Sequence, residues 1–82
     1  MGNTVIRRVL IGNPHDDAKW LVLAARVEGA PDACEVRRSI NTAALVSGDE
    51  SLEAHKAALT LVAEEYYARW IAVQAAVADL EG

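Results

Sequence analysis

Apolar residues recur at helical spacing through the last third of the chain. Residues 51–80 contain neither glycine nor proline. Steps of three and four residues place one apolar stripe along a single helix face. Its members are Leu59, Ala63, Tyr66, Trp70, Val73, Val77 and Leu80. This spacing predicts one long C-terminal helix, about 45 Å in length at ~1.5 Å per residue.

Three earlier segments have the β-branched content and the alternation of strands. They cover residues 4–11, 19–27 and 33–40, and turn-forming sequences separate them. Short connections between consecutive strands favour an antiparallel meander in the order 1-2-3. We expect residues 41–46 to form a short helical turn before the long helix. Three side chains are candidate caps for that helix, namely Ser47, Asp49 and Ser51.

These elements predict a single small α+β domain over residues 1–82. A three-stranded sheet must cover its apolar face, and the long helix is the only large element able to do so. Leu21, Leu23, Ala25 and Val27 are expected on the inward face of the second strand. The strands span only about 25–30 Å at ~3.3 Å per residue. The helix should therefore extend several turns beyond the sheet.

The distal part of the stripe is the first candidate interaction site. We use the name distal stripe for Tyr66, Trp70, Val73, Val77 and Leu80. Such a row left in water forms an apolar patch of a size that soluble monomers rarely expose. Packing against a second copy removes the patch from both chains at once. The sequence therefore favours a small, non-catalytic protein-interaction module that acts as a homodimer.

The charge of the chain suggests an alternative function. The net charge is −4, and residues 47–82 carry seven acidic but only two basic side chains. Glu53, Glu64 and Glu65 lie on the long helix and are candidate partner-binding residues. In this interpretation the protein is a small acidic inhibitor. Its partner is a basic protein or nucleoprotein complex, whose nucleic-acid-binding surface it blocks.

Five arginines lie in the predicted strands: Arg7, Arg8, Arg26, Arg37 and Arg38. Because side chains alternate along a strand, one sheet face can hold three of them near Trp20, an arrangement suited to phosphate contact and base stacking. The negative net charge and the lack of a second aromatic in the strands argue against that function. We expect the arginines to pair with the acidic helix, within or between chains, and we expect no direct binding of nucleic acid.

Other reactive side chains are expected to be structural. Cys34 shares the apolar side of its strand with Val36 and Ile40, which predicts a buried thiol. His15 and the aspartates that follow it lie in a turn without a second ligand cluster, so no metal site is expected. The sequence predicts no catalytic residue, no cofactor and no enzymatic activity.

The lone cysteine also bears on the compartment, since an unpaired thiol fits a reducing cytosol. No apolar stretch approaches the roughly 18 residues of a membrane span, so we expect a cytoplasmic protein without membrane contact. A short meander that carries a tryptophan and a cysteine and precedes a helix resembles small, uncharacterised bacterial accessory domains. It also resembles small phage-encoded inhibitors, including anti-CRISPR proteins. The resemblance is one of size and architecture, and it implies no residue role.

Overall fold

A computed structural model describes the backbone of residues 3–81 and the side chains of residues 3–80. The elements are β1 (Thr4–Val9), α1 (Pro14–Lys19), β2 (Trp20–Val27), a 3₁₀ turn (Asp32–Cys34), β3 (Val36–Asn41), α2 (Thr42–Ser47) and α3 (Leu52–Glu81). The strands form one antiparallel sheet in the order β1-β2-β3, and α3 packs on one of its faces. The predicted α+β meander with a long C-terminal helix is confirmed.

The main core lies between this sheet and the first half of α3. Leu59 and Ala63 of the helix are 2% and 0% exposed. They pack on apolar side chains of β2 and β3, namely Leu23, Ala25 and Ile40, and Ile6, Leu21, Val36 and Leu45 border the cluster. This arrangement agrees with the inward face predicted for the second strand. Burial of these apolar side chains is the main force that holds the helix on the sheet.

A second, smaller cluster lies where β2 runs into β3. It contains Val27, Ala30 and the buried thiol of Cys34. The third strand starts three residues later than predicted, because the 3₁₀ turn there bonds internally. The backbone N–H of Cys34 donates to the carbonyl of Pro31 at 2.9 Å, and that of Glu35 donates to Asp32 at 3.0 Å. The turn folds Cys34 inward, so the predicted burial of this thiol is confirmed.

Helix α1 was not predicted, since its sequence was interpreted as a turn. Asn13 caps it, because its side-chain oxygen accepts from the N–H of His15 at 3.0 Å. Pro14 occupies the first helical position, where its missing N–H costs nothing. Asp17 also accepts from the N–H of Ile11 at 2.7 Å, and this bond ties the helix to the end of the preceding segment. Asparagine followed by proline signals a turn and a helix start equally well.

The connection from α2 to α3 resolves the three candidate caps. Helix α2 ends at Ser47, and Gly48 caps it in the left-handed conformation with a φ of 84°. The hydroxyl of Ser51 accepts from the N–H of Ala54 at 3.4 Å, and its carbonyl accepts from the N–H of His55. Ser51 is therefore the cap of α3, which begins at Leu52.

Candidate interaction surface on the long helix

The second half of α3 extends beyond the sheet. All ten residues from 71 to 80 are exposed, whereas Trp70 is still half-buried. At ~1.5 Å per residue this overhang is about 15 Å long, and it contributes to the 54 Å length of the molecule. The overhang is rich in alanine, a strong helix former, which favours continuation of the helix beyond the sheet. Its apolar side chains are free to meet another molecule.

The stripe leaves the sheet gradually because its repeat is seven residues long. A straight α-helix drifts by about 20° per heptad, so three heptads from Leu59 to Leu80 rotate the stripe by about 60°. Leu59 is buried on the sheet, but Tyr66 is already 47% exposed, and Tyr67 takes its place against the protein. Beyond the sheet, Val73 no longer faces the protein and is 56% exposed to solvent.

Four side chains of the helix surround a shallow groove of about 280 Å³. They are Tyr66, Arg69, Trp70 and Val73. Their spacing of i, i+3, i+4 and i+7 is that of the hole which receives one side chain from a neighbouring helix in a coiled coil. The groove lies at the point where the stripe turns away from the sheet.

Trp70 fixes one wall of this groove. Its ring stacks on Tyr67, with centroids 6.1 Å apart and planes at 23°. Both rings pack against the cluster of Val27, Ala30 and Cys34, so Trp70 is held by its own chain and only part of it faces solvent. The role predicted for Trp70 in a dimer stays a prediction. The sequence did not predict that Tyr67 faces the protein, because the stripe was defined by a seven-residue repeat, whereas the helix itself repeats every 3.6 residues.

The acidic candidates on α3 do not share one face. Glu53, Glu64 and Glu65 are all exposed, and the carboxylate of Glu53 lies 3.5 Å from the ammonium of Lys56. Consecutive helical residues project about 100° apart, so Glu64 and Glu65 point to different sides of the helix. A role for these three residues in binding a basic protein or nucleoprotein complex stays a prediction.

Three arginines do gather on the open face of the sheet. Arg7, Arg26 and Arg37 surround the small side chain of Ala24. Within the chain their partners are not on the acidic helix, so the predicted pairing is wrong for these three residues inside one chain. The carboxylates come from the segment between β2 and β3, where the chain turns back beside the arginines. Pairing with the acidic helix of a second chain stays a prediction.

Glu35 bridges two of these arginines. One terminal nitrogen of Arg7 donates to both carboxylate oxygens, at 2.9 and 3.2 Å, and Nε of Arg37 donates at 3.4 Å. Arg26 pairs with Asp32. Each arginine of the open face thus has a carboxylate partner, which leaves little free positive charge for phosphate. The expectation that nucleic acid is not bound directly stays a prediction.

The bridge at Glu35 predicts an acid-sensitive contribution to stability. The hydrogen bond from Arg7 holds the pKa of the Glu35 carboxyl below its ordinary value, and the charges of Arg7 and Arg37 act in the same direction. A pKa lowered by folding adds stability at neutral pH, and this contribution is lost as the pH falls through the folded-state pKa. Urea unfolding should show Glu35→Gln to be less stable than the native protein at pH 7, by at most about 1 kcal/mol.

The same measurement in acid provides the control. Below both pKa values the native carboxyl is protonated, so the stabilities of the native protein and Glu35→Gln should converge. A difference of constant size from neutral pH down into the acid range would contradict the assigned bridge.

One strand arginine does reach the long helix, through a histidine. Nε of Arg38 donates to Nδ1 of His55 at 2.8 Å, and Nε2 of His55 lies 3.1 Å from the carboxylate of Glu50. Because Nδ1 accepts, the proton of a neutral ring is on Nε2 and is donated to Glu50. This chain of bonds ties β3 to the first turn of α3.

The two edge strands are poorly suited to pairing with another chain. β1 and β3 each carry two consecutive arginines, Arg7–Arg8 and Arg37–Arg38. Charged side chains on an edge oppose the addition of a further strand. Association through the sheet edges is therefore disfavoured, and the overhanging helix is the better candidate for contact with a partner.

Residues 3–80 show neither a metal cluster nor a membrane-spanning helix. No group of three or more His, Cys, Asp and Glu side chains within that range is placed to bind a metal ion. Among the helices of the same range, none combines the length and the apolar character that crossing a bilayer requires. No family model, curated protein or solved structure matches this chain. Its function is therefore inferred from the chemistry of its surface.

Proposed function

We propose that the protein is a small, non-catalytic interaction module that forms a homodimer through the distal stripe. The observation that carries this proposal is the ten-residue overhang of α3, all of it exposed, which continues an apolar stripe anchored on the sheet. A helix with this geometry buries the most exposed apolar surface by packing against a second copy of itself, because one contact covers the exposed apolar side chains of both copies.

The size of the exposed apolar surface supports this proposal. Large apolar side chains recur along one side of the helix from Val62 to Leu80, a distance of about 27 Å at ~1.5 Å per residue. Isolated apolar residues on a surface need no explanation, but a contiguous row is typical of an interface. The arginine pairs on the sheet edges leave the helix as the favoured route of association.

The environment proposed for the dimer is the cytoplasm. The single thiol, at Cys34, is buried and needs no disulfide partner. A chain of 82 residues without a disulfide is small for independent folding, and a dimer increases the apolar surface that it buries. Dimerisation thus serves stability as well as interaction.

The mass of the native protein in solution tests the proposal. Size-exclusion chromatography with light scattering should give the mass of two 8.8 kDa chains at high micromolar concentration. Dilution should shift the mass towards one chain, because the proposed contact is limited to one side of a single helix and obligate dimers bury larger interfaces. A constant mass of 8.8 kDa up to high micromolar concentration would overturn the homodimer.

A further inference from the structure

We propose that the two copies of α3 pair antiparallel, with Leu80 of each chain inserted into the groove formed by Tyr66, Arg69, Trp70 and Val73 of the other. This inference rests on the proposed homodimer and adds its geometry. Three observations on the helix support it: the shape of the groove, the packing of Trp70 against its own chain and the distribution of charge along the helix.

The groove determines what kind of side chain it receives. Residues at i, i+3, i+4 and i+7 form a four-residue hole, and knobs-into-holes packing places one apolar side chain in it. Leu80 is the most exposed large apolar side chain of α3, at 88%. It belongs to the same stripe as the hole, so a second copy supplies a knob of suitable chemistry.

Trp70 excludes the parallel arrangement. In a parallel, in-register pair, the knob for this hole is Trp70 of the other chain. Trp70 is unavailable as a knob, because it stacks on Tyr67 and packs against Val27, Ala30 and Cys34 of its own chain. In the antiparallel pair Trp70 only lines the hole, and the smaller Leu80 enters it.

The same alignment also places the remaining stripe residues in contact. When Leu80 lies level with Trp70 of the other chain, the antiparallel direction places Val73 of each chain opposite Val77 of the other. Both valines are exposed in the single chain, at 56% and 40%. The contact therefore buries Val73, Val77 and Leu80 of both copies without moving any residue of the core.

Charge favours the same direction. Between residues 61 and 80, α3 has one basic side chain, Arg69, and its end carries Asp79. A parallel pair would place both Asp79 side chains and the negative ends of both helix dipoles together. The antiparallel pair instead brings the end of each helix, with Asp79, alongside the segment that holds Arg69 of the other chain.

Disulfide trapping distinguishes the two directions. Val73→Cys and Val77→Cys are prepared separately, and one of them carries a mass tag. Each variant is oxidised in a glutathione redox buffer, first alone and then as an equal mixture. The native protein is the control, because its Cys34 is buried and should form no link between chains. A disulfide requires Cα atoms about 4.4–6.8 Å apart, so only side chains in direct contact are trapped.

The antiparallel pair predicts that linked dimers appear in the mixture and contain one chain of each variant. Each variant alone should stay unlinked, because identical positions then lie four residues, or about 6 Å, apart along the helix axis. Linked dimers of one variant alone would show parallel helices and overturn the inference, leaving the homodimer intact. A dimeric mass with no link in any combination would also overturn it, by placing the contact elsewhere. A monomeric native protein would overturn both proposals.

Discussion

Val73→Asp should convert the dimer to a monomer that remains folded. Val73 is 56% exposed in the single chain and belongs to neither buried cluster, so a carboxylate there stays hydrated in the monomer. In the dimer the same carboxylate would be buried without a partner, opposite an apolar side chain. An uncompensated buried charge costs about 3–5 kcal/mol, which corresponds to about two to three and a half powers of ten in the dissociation constant. The symmetric dimer contains two such carboxylates, so the expected loss of affinity is at least this large. Light scattering measures the mass, and circular dichroism checks the fold.

Ile71→Asp is the matched control for this substitution. Ile71 is a β-branched residue of similar exposure, 48%, on the same overhang. Ile71 precedes Val73 by two residues, so its side chain points about 160° away from that of Val73 around the helix. Ile71 is not part of the distal stripe. The variant should keep the dimeric mass. If both aspartates dissociate the dimer equally, or neither does, the distal stripe is not the interface.

Leu59→Ala should cause the largest loss of stability of any single truncation in α3. Leu59 is 2% exposed and fills the space between the helix and Leu23, Ala25 and Ile40. Truncation of a buried leucine to alanine costs about 2–5 kcal/mol, because transfer energy is lost and a cavity remains. Small domains are stable by only about 0.05–0.15 kcal/mol per residue. The variant should therefore unfold at much lower urea concentration, as measured by circular dichroism at fixed protein concentration.

Leu61→Ala provides the comparison within the same helix. Leu61 is 60% exposed, and a surface truncation usually changes stability by no more than about 0.5 kcal/mol. Comparable losses for Leu59→Ala and Leu61→Ala would contradict the packing of α3 on the sheet.

The sequence predicted those features that depend on local periodicity. Alternation along β2 identified Leu21, Leu23 and Ala25 as core residues, because successive side chains of a strand point to opposite faces. The uninterrupted helical spacing predicted α3 and its extension beyond the sheet. These patterns are strong because a buried face imposes the same choice at every repeat.

Where one local sequence permits two structures, the prediction was wrong. Asn13 and Pro14 suit a turn or a helix start, and α1 forms because Asn13 caps it and Asp17 accepts from Ile11. The 3₁₀ turn that precedes β3 was missed for a similar reason. Its formation goes together with the burial of Cys34 against Val27, a contact that no local pattern contains.

The arginines show how little the sequence alone predicts about the partners of charged residues. Alternation correctly predicted that three of them share a face with Trp20, but it contained nothing about their partners. The choice of Glu35 for Arg7 and Arg37 depends on how the chain turns between β2 and β3, which brings residues 28 positions apart into contact.

By itself, then, the sequence determined the order of the three strands and the long helix, the inward face of the sheet and the existence of a long apolar stripe, because each follows from a repeat along the chain. Only the tertiary structure decided where that stripe leaves the sheet. The seven-residue repeat of the stripe and the 3.6-residue turn of the helix diverge by about 20° per heptad. Packing at Leu59 and Ala63 sets the starting angle, so Tyr67 and Trp70 face the protein and Val73 faces solvent.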